Sequence, residues 1–153
     1  MKLEVGMKAP DFTLTDNNGE EIRLSDFRGS KVLLSWHPIA WTSVCADQMR
    51  ALEVNFERFK ALNTVALGLN VDSVPSKKVW ATALSIRNTK LLSDFKPHGA
   101  VAREYGIFLD ELGASGRVNI ILDEQGVIQW MKVYDPGKLP DIEEVFKALE
   151  AMK

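Results

Sequence analysis

The chain has 153 residues, 46% hydrophobic and 26% charged, which fits one domain over 1–153 with a core of its own. The net charge is −2, with lysines and arginines scattered among acids; there is no basic stripe, and a nucleic-acid-binding role is excluded. No apolar run approaches the roughly 20 residues of a bilayer span, and the opening MKLEVGMKAPDF has no signal-peptide core, so no membrane partner and a cytoplasmic location are expected.

The elements follow in order. DFTLT and EIRLS alternate apolar and polar residues around the turn-forming DNNGE, which predicts an N-terminal β-hairpin. VLLSW, residues 32–36, is a buried strand ended by Pro38. Cys45, Met49, Leu52, Phe56 and Phe59 recur at spacings of three and four and predict one face of a helix, with Thr42 and Ser43 as competent N-caps. TVALGLNV, residues 64–71, is a central strand. Ser73 and Pro75 open a second helix, whose buried face is expected at Val79, Trp80, Ala83 and Leu84. KLLSD is a short strand, GAVAREYG a short helix ended by Gly106, and GASGR a loop. RVNIILD and VIQWMKVYD form a hairpin around EQG. A last helix carries Ile142, Val145, Phe146, Leu149 and Met152 on one stripe, with Pro140 near its start and Glu143 and Glu144 at its positive end. Strand–helix alternation with added hairpins means an α/β fold: a mixed central sheet flanked by helices.

Cys45 is the only cysteine, so no intrachain disulfide is available and any redox chemistry must borrow a second thiol. Its predicted place is the first turn of a helix, where unpaired amides and the positive end of the dipole favour thiolate and can hold a small polar oxygen. Thr42 lies one turn back. Pro38, without an N–H, can wall the site.

The spacing Pro38-x-x-x-Thr42-x-x-Cys45 resembles the peroxiredoxin signature. The resemblance extends through VGMKAPDFTLTDNNGEEIRLSDFRGSKVLL, LLSDFKPHGAVAREYGIF and GRVNIILDEQGVIQW, so it covers essentially the whole chain. It implies a thioredoxin-like fold and assigns roles. By that resemblance Cys45 would be the peroxidatic cysteine that becomes a sulfenic acid. Likewise Thr42 would align the peroxide, Arg117 would hold the thiolate and the departing oxygen, and Pro38 would shield the sulfur from water. Gln48 stands where many relatives carry glutamate, which leaves the shell around Arg117 less defined. The single cysteine makes the chain similar to one-cysteine peroxiredoxins, of the short bacterial alkyl hydroperoxide reductase E or bacterioferritin-comigratory-like type. A hydroperoxide would be the substrate, and an external thiol would recycle the enzyme: a low-molecular-weight thiol, or a thioredoxin- or glutaredoxin-like protein. No cofactor or metal is implied. A homodimer is expected, with Trp41 and Phe108 as candidate contacts.

Each of these residues also has an ordinary structural role. A lone cysteine is often core filler, Thr42 an ordinary cap, Pro38 a strand stop and Arg117 a surface cation. His37 and His98 invite a Cys–His or metal reading, but no fourth ligand stands at a recognisable spacing. A non-catalytic redox sensor or holdase shares the oxidisable thiol. A thiol–disulfide oxidoreductase lacks its usual C-x-x-C here.

Overall fold

Asp16 organises the first turn of the computed structural model, which describes residues 2–152. Its Oδ1 accepts from the amides of Asn18 at 2.8 Å and Glu20 at 2.9 Å. Gly19 adopts φ +83° to close that turn, a backbone conformation that glycine takes at no steric cost. β1 (Thr13–Asp16) thereby folds back on β2 (Glu21–Arg23), with Leu14 opposite Ile22, as the alternation predicted. The second strand is shorter than EIRLS suggested, because Leu24–Phe27 winds into a 3-10 turn that buries Leu24.

β3 (Lys31–Trp36) is buried along its whole length. Alternation along the strand sends Leu34 and Trp36 to one face of the sheet and Leu33 to the other. Ser35 therefore joins Leu33 on the face that α1 (Ser43–Val54) covers.

The single helix expected from Cys45 to Phe59 is two: α1, and then α2 (Phe56–Ala61). Asn55 divides them. Its side-chain amide donates to the Ala51 carbonyl at 2.8 Å, an example of a local side-chain bond competing with the helical ladder. Cys45, Met49, Leu52 and Phe59 are buried as predicted, while Phe56 is only half-buried.

β4 (Thr64–Asn70) leads to α3 (Val74–Ala83), capped by Ser73 with Pro75 in the first turn. The inward face of α3 differs from the predicted one. Trp80 is buried, but Val79 is 60% exposed and Ala83 is also exposed; Lys77 and Ala81 point inward instead. Residues 77, 80, 81 and 84 form an equally regular helical stripe. Lys77 is accommodated on it because its ammonium donates to the buried Leu92 carbonyl.

β5 (Lys90–Ser93) and α4 (Ala100–Glu104) follow. The segment read as a loop at GASGR contains β7 (Ala114–Ser115), which pairs with β6 (Phe108–Leu109). Strands this short carry no periodicity that a sequence could reveal. β8 (Arg117–Leu122) and β9 (Ile128–Tyr134) form the expected hairpin. α5 (Ile142–Glu150) is capped by Asp141, whose side chain accepts from the Glu143 amide at 2.9 Å.

The seven-stranded sheet runs β2-β1-β5-β4-β3-β8-β9. β3, β4 and β5 are parallel, and the other pairings are antiparallel. One buried cluster gathers Phe12, Leu24, Trp36 and Tyr105; the other gathers Met49, Phe59, Trp80 and Phe146. Each face of the sheet therefore has its own apolar layer, the α/β arrangement expected from the element order. The β3–β8 register decides the site: Trp36 lies opposite Val118, so Arg117 falls one step beyond the pair, beside the loop that leaves β3.

Candidate active site

Cys45 sits in the first turn of α1 with 1% of its surface exposed. Thr42 occupies the N-cap position with extended backbone angles, but its side chain does not cap. Its Oγ1 donates to the Ile39 carbonyl at 2.9 Å, and the residue is exposed. The first-turn amides of α1 are thus left without a side-chain acceptor from the cap. The preceding loop is held from below: Asp72 Oδ2 accepts from the Ala40 amide at 2.7 Å and from Asn70 Nδ2 at 2.6 Å. Trp41 takes φ +72° at the loop's crest, and its indole donates to Ser76 Oγ at 3.1 Å.

Arg117 comes from the far side. It is 2% exposed. Nη1 lies 3.4 Å from Cys45 Sγ and 2.6 Å from Gln48 Oε1. Nε and Nη2 both donate to the Pro136 carbonyl, at 3.1 and 2.7 Å. Gln48 continues the chain of bonds: its Nε2 donates to Ser35 Oγ at 2.7 Å and to the Trp36 carbonyl at 3.2 Å, and Ser35 donates to Asn119 Oδ1 at 2.7 Å. The guanidinium is therefore fixed in place by neutral partners. Among the groups it touches, only the sulfur can carry a negative charge, so a charge-assisted contact is available to thiolate and to no competitor.

These residues line a cup of about 220 Å³ with Pro38, Thr42, Cys45, Leu112, Arg117 and Pro136 in its wall. Beside it, sharing Leu112 and Pro136, lies a groove of about 560 Å³ that includes Phe108 and Leu109. A buried sulfur at a helix start, a fixed guanidinium and a small cup can bind a two-oxygen group end-on and stabilise charge leaving it.

Comparison with known proteins agrees. Residues 5–131 match the model of the AhpC/TSA family. The chain belongs to the AhpC/TSA peroxiredoxin family. Alkyl hydroperoxide reductase E of Mycobacterium tuberculosis is 38% identical over 140 residues, 91% of each chain. A peroxiredoxin of Thermoplasma volcanium is 33% identical over all of this chain and 76% of its own. The crystal structure of Enterococcus faecalis AhpC superposes with a TM-score of 0.87 at 25% identity, covering 97% of this chain and 91% of that one. The thioredoxin-like fold expected from the resemblance is the one found.

Within this peroxiredoxin, the four residues singled out in the sequence, Pro38, Thr42, Cys45 and Arg117, meet at one cup. Thr42, one of the two competent caps, stands at the N-cap position, but its hydroxyl does not cap the helix. His37 lies behind the cup, its ring 5.5 Å from that of Trp80. Burial, with the charges of Lys77 and Arg117, pushes its imidazole well below the ordinary histidine value. His98 Nε2 instead meets the Gly113 carbonyl at 2.8 Å. Among the described residues no group of three or more His, Cys, Asp or Glu side chains could hold a metal ion, and no helix is long and apolar enough to cross a membrane.

Phe108 is a poorer contact candidate than expected. It is half-buried beneath the Arg103 guanidinium, 3.9 Å from its ring centre, whereas Trp41 is 54% exposed. Leu112 and Pro136 were missed because loop residues carry no periodic signal.

Proposed function

We propose that this peroxiredoxin is a thiol-dependent peroxidase of the one-cysteine type, with Cys45 as nucleophile. The supporting observation is the 3.4 Å approach of a buried, carboxylate-free guanidinium to the sulfur at the start of α1. The thiolate attacks the terminal oxygen of a hydroperoxide ROOH along the O–O axis. The S–O bond forms, the O–O bond breaks, and the alkoxide or hydroxide leaves and takes a proton; sulfur is oxidised to sulfenic acid and the peroxide is reduced. Arg117 and the first-turn amides hold the charge as it moves to the departing oxygen. Thr42, at the mouth, orients the peroxide, and Pro38, buried beside the sulfur, keeps bulk water off it.

With no second cysteine in the chain, the sulfenic acid condenses with an external thiol, releasing water. A second equivalent of thiol then resolves the mixed disulfide and restores Cys45. The reductant is a low-molecular-weight thiol or a thioredoxin- or glutaredoxin-like protein. The apolar groove beside the cup offers room for an organic substituent on the peroxide. The working form is a homodimer in the cytoplasm, where thiols are kept reduced. Exposed Ile39, Trp41 and Leu112 around the cup favour such an association.

The test is stopped-flow mixing of reduced protein with hydrogen peroxide, with mass spectrometry of the product. One added oxygen on Cys45, gained far faster than by a free thiol, and continued peroxide consumption on adding thiol are expected. Oxidation at the pace of free cysteine removes the peroxidase reading, and consumption that ends after one equivalent with every thiol removes the recycling. Thr42→Val is expected to slow the oxidation about 10- to 100-fold with the melting temperature unchanged, since it loses one oriented polar group at an exposed position. An unchanged rate constant would take Thr42 out of the reaction.

A further inference from the structure

The polar groups behind Arg117 close on themselves. Arg117 Nη1 donates to Gln48 Oε1 at 2.6 Å, Gln48 Nε2 donates to Ser35 Oγ at 2.7 Å, and Ser35 donates to Asn119 Oδ1 at 2.7 Å. Asn119 stands two residues after Arg117 on β8, so its side chain leaves the same face of the strand. The β3–β8 register sets it directly opposite Ser35. The four side chains thus form a ring that ties α1, β3 and β8 together, and all four are buried.

The direction of each bond is forced. A guanidinium has only donors, so Gln48 must turn its carbonyl oxygen to it. That leaves the Gln48 NH2 for Ser35 and for the Trp36 carbonyl, 3.2 Å away. Ser35 accepts from Gln48 and keeps its one hydrogen for Asn119. A carboxylate at position 48 does not fit this ring. Its second oxygen would face the Trp36 carbonyl, an acceptor against an acceptor, and would draw the Ser35 hydrogen away from Asn119. It would also set a negative charge on the guanidinium in competition with the sulfur, 3.4 Å from the same Nη1. A buried polar network left partly satisfied loses what it gains from closure.

We propose that Gln48 and Ser35 are positioning residues of the peroxidase: through the ring completed by Asn119 they hold the Arg117 guanidinium against Cys45 Sγ, and the ring requires an amide, not a carboxylate, at position 48. Neither residue lines the cup. They act by fixing where Nη1 stands before peroxide arrives. This rests on Cys45 being the nucleophile and Arg117 its partner. The competing role for the pair is a clasp between α1 and the sheet, with no bearing on the reaction.

The experiment measures the rate constant of Cys45 oxidation by hydrogen peroxide in the unmodified chain, Gln48→Met, Gln48→Glu and Ser35→Ala, with thermal unfolding recorded for each. Both Gln48 variants are expected to be slower by about tenfold, because a small displacement of a catalytic group is costly in rate. Ser35→Ala should be slowed less, since Gln48 keeps the Trp36 carbonyl. Gln48→Met is then repeated in an Arg117→Ala background. A positioning residue has nothing left to position there, so the rate should fall no further; a clasp would cost the same factor in both backgrounds. Equal factors, or a Gln48→Met rate matching the unmodified chain, overturn the positioning role. An unchanged rate in Gln48→Glu overturns the requirement for an amide, and one in Ser35→Ala removes Ser35. A second measurement needs no variant. The two Gln48 side-chain amide protons should give separate, slowly exchanging NMR signals in the reduced protein, and exchange at the pace of an exposed glutamine overturns the ring. Slow oxidation of the unmodified chain would instead fail the peroxidase reading, which the amide exchange does not depend on.

Discussion

Cys45→Ser is expected to abolish peroxide consumption to the limit of detection while the protein stays folded. The loss follows from the chemistry of the nucleophile: a serine hydroxyl is not ionised at neutral pH, and nothing in the cup is a base placed to take its proton. The nearest imidazole, His37, packs behind the cup against Trp80. The fold should tolerate the change. A buried hydroxyl without a partner costs about 1–3 kcal/mol, but Arg117 Nη1, now 3.4 Å from the sulfur, is positioned to donate to the oxygen. Peroxide consumption monitored with excess thiol, together with thermal unfolding, checks both halves. Residual turnover in the serine variant would place the chemistry on another residue.

Arg117→Ala is expected to slow the oxidation of Cys45 by about 10²- to 10³-fold, the scale for removing one preorganised donor from a developing oxyanion. Two effects combine here. The thiolate loses the charged group that touches it, and the departing oxygen loses its stabiliser. The substitution also leaves Gln48 Oε1 and the Pro136 carbonyl without their guanidinium donor. Gln48 is buried, and stranding its acceptor in this way costs about 1–3 kcal/mol, so a lower melting temperature should accompany the loss of rate. Arg117→Lys separates the two. A lysine keeps the charge but cannot bond the sulfur, Gln48 and Pro136 together from one planar fork, so an intermediate rate is expected. Stopped-flow oxidation of the two variants at several pH values makes the comparison. Equal rates for Arg117→Ala and the unmodified chain would remove Arg117 from the reaction.

Gln48 leaves the charge on Arg117 without an anionic side-chain partner. A glutamate at that position would be a standing anionic partner for the guanidinium. The amide gives the same hydrogen bond at 2.6 Å without the charge, and its other end is tied to Ser35 and the Trp36 carbonyl. The positive charge is therefore held in place yet left for the sulfur.

The amino-acid sequence by itself determined the elements and their order. Local alternation, caps and turn residues are short-range physics: they predicted the N-terminal hairpin, β3, β4, the β8–β9 hairpin and α5 with little error. They also placed Cys45 in the first turn of a helix, because proline, threonine and the helical spacing from Cys45 to Leu52 all lie within one short stretch. Two helices depart from the local pattern where alternatives were closely matched. Asn55 splits α1 from α2 through a bond to one carbonyl, and α3 has two regular stripes, of which packing selected the one with lysine in it.

Tertiary structure alone decided which distant residues share the cup. Arg117 stands 72 positions from Cys45 and reaches it only because β8 runs antiparallel beside β3 in a register that ends at Trp36 and Val118. Pro136 and Leu112 arrive from loops, and Lys77 becomes interior only when α3 seats against the sheet. The physical reason is the same in each case. Register and helix rotation are settled by burying two apolar layers at once, a property of the assembled sheet that no stretch of chain carries alone.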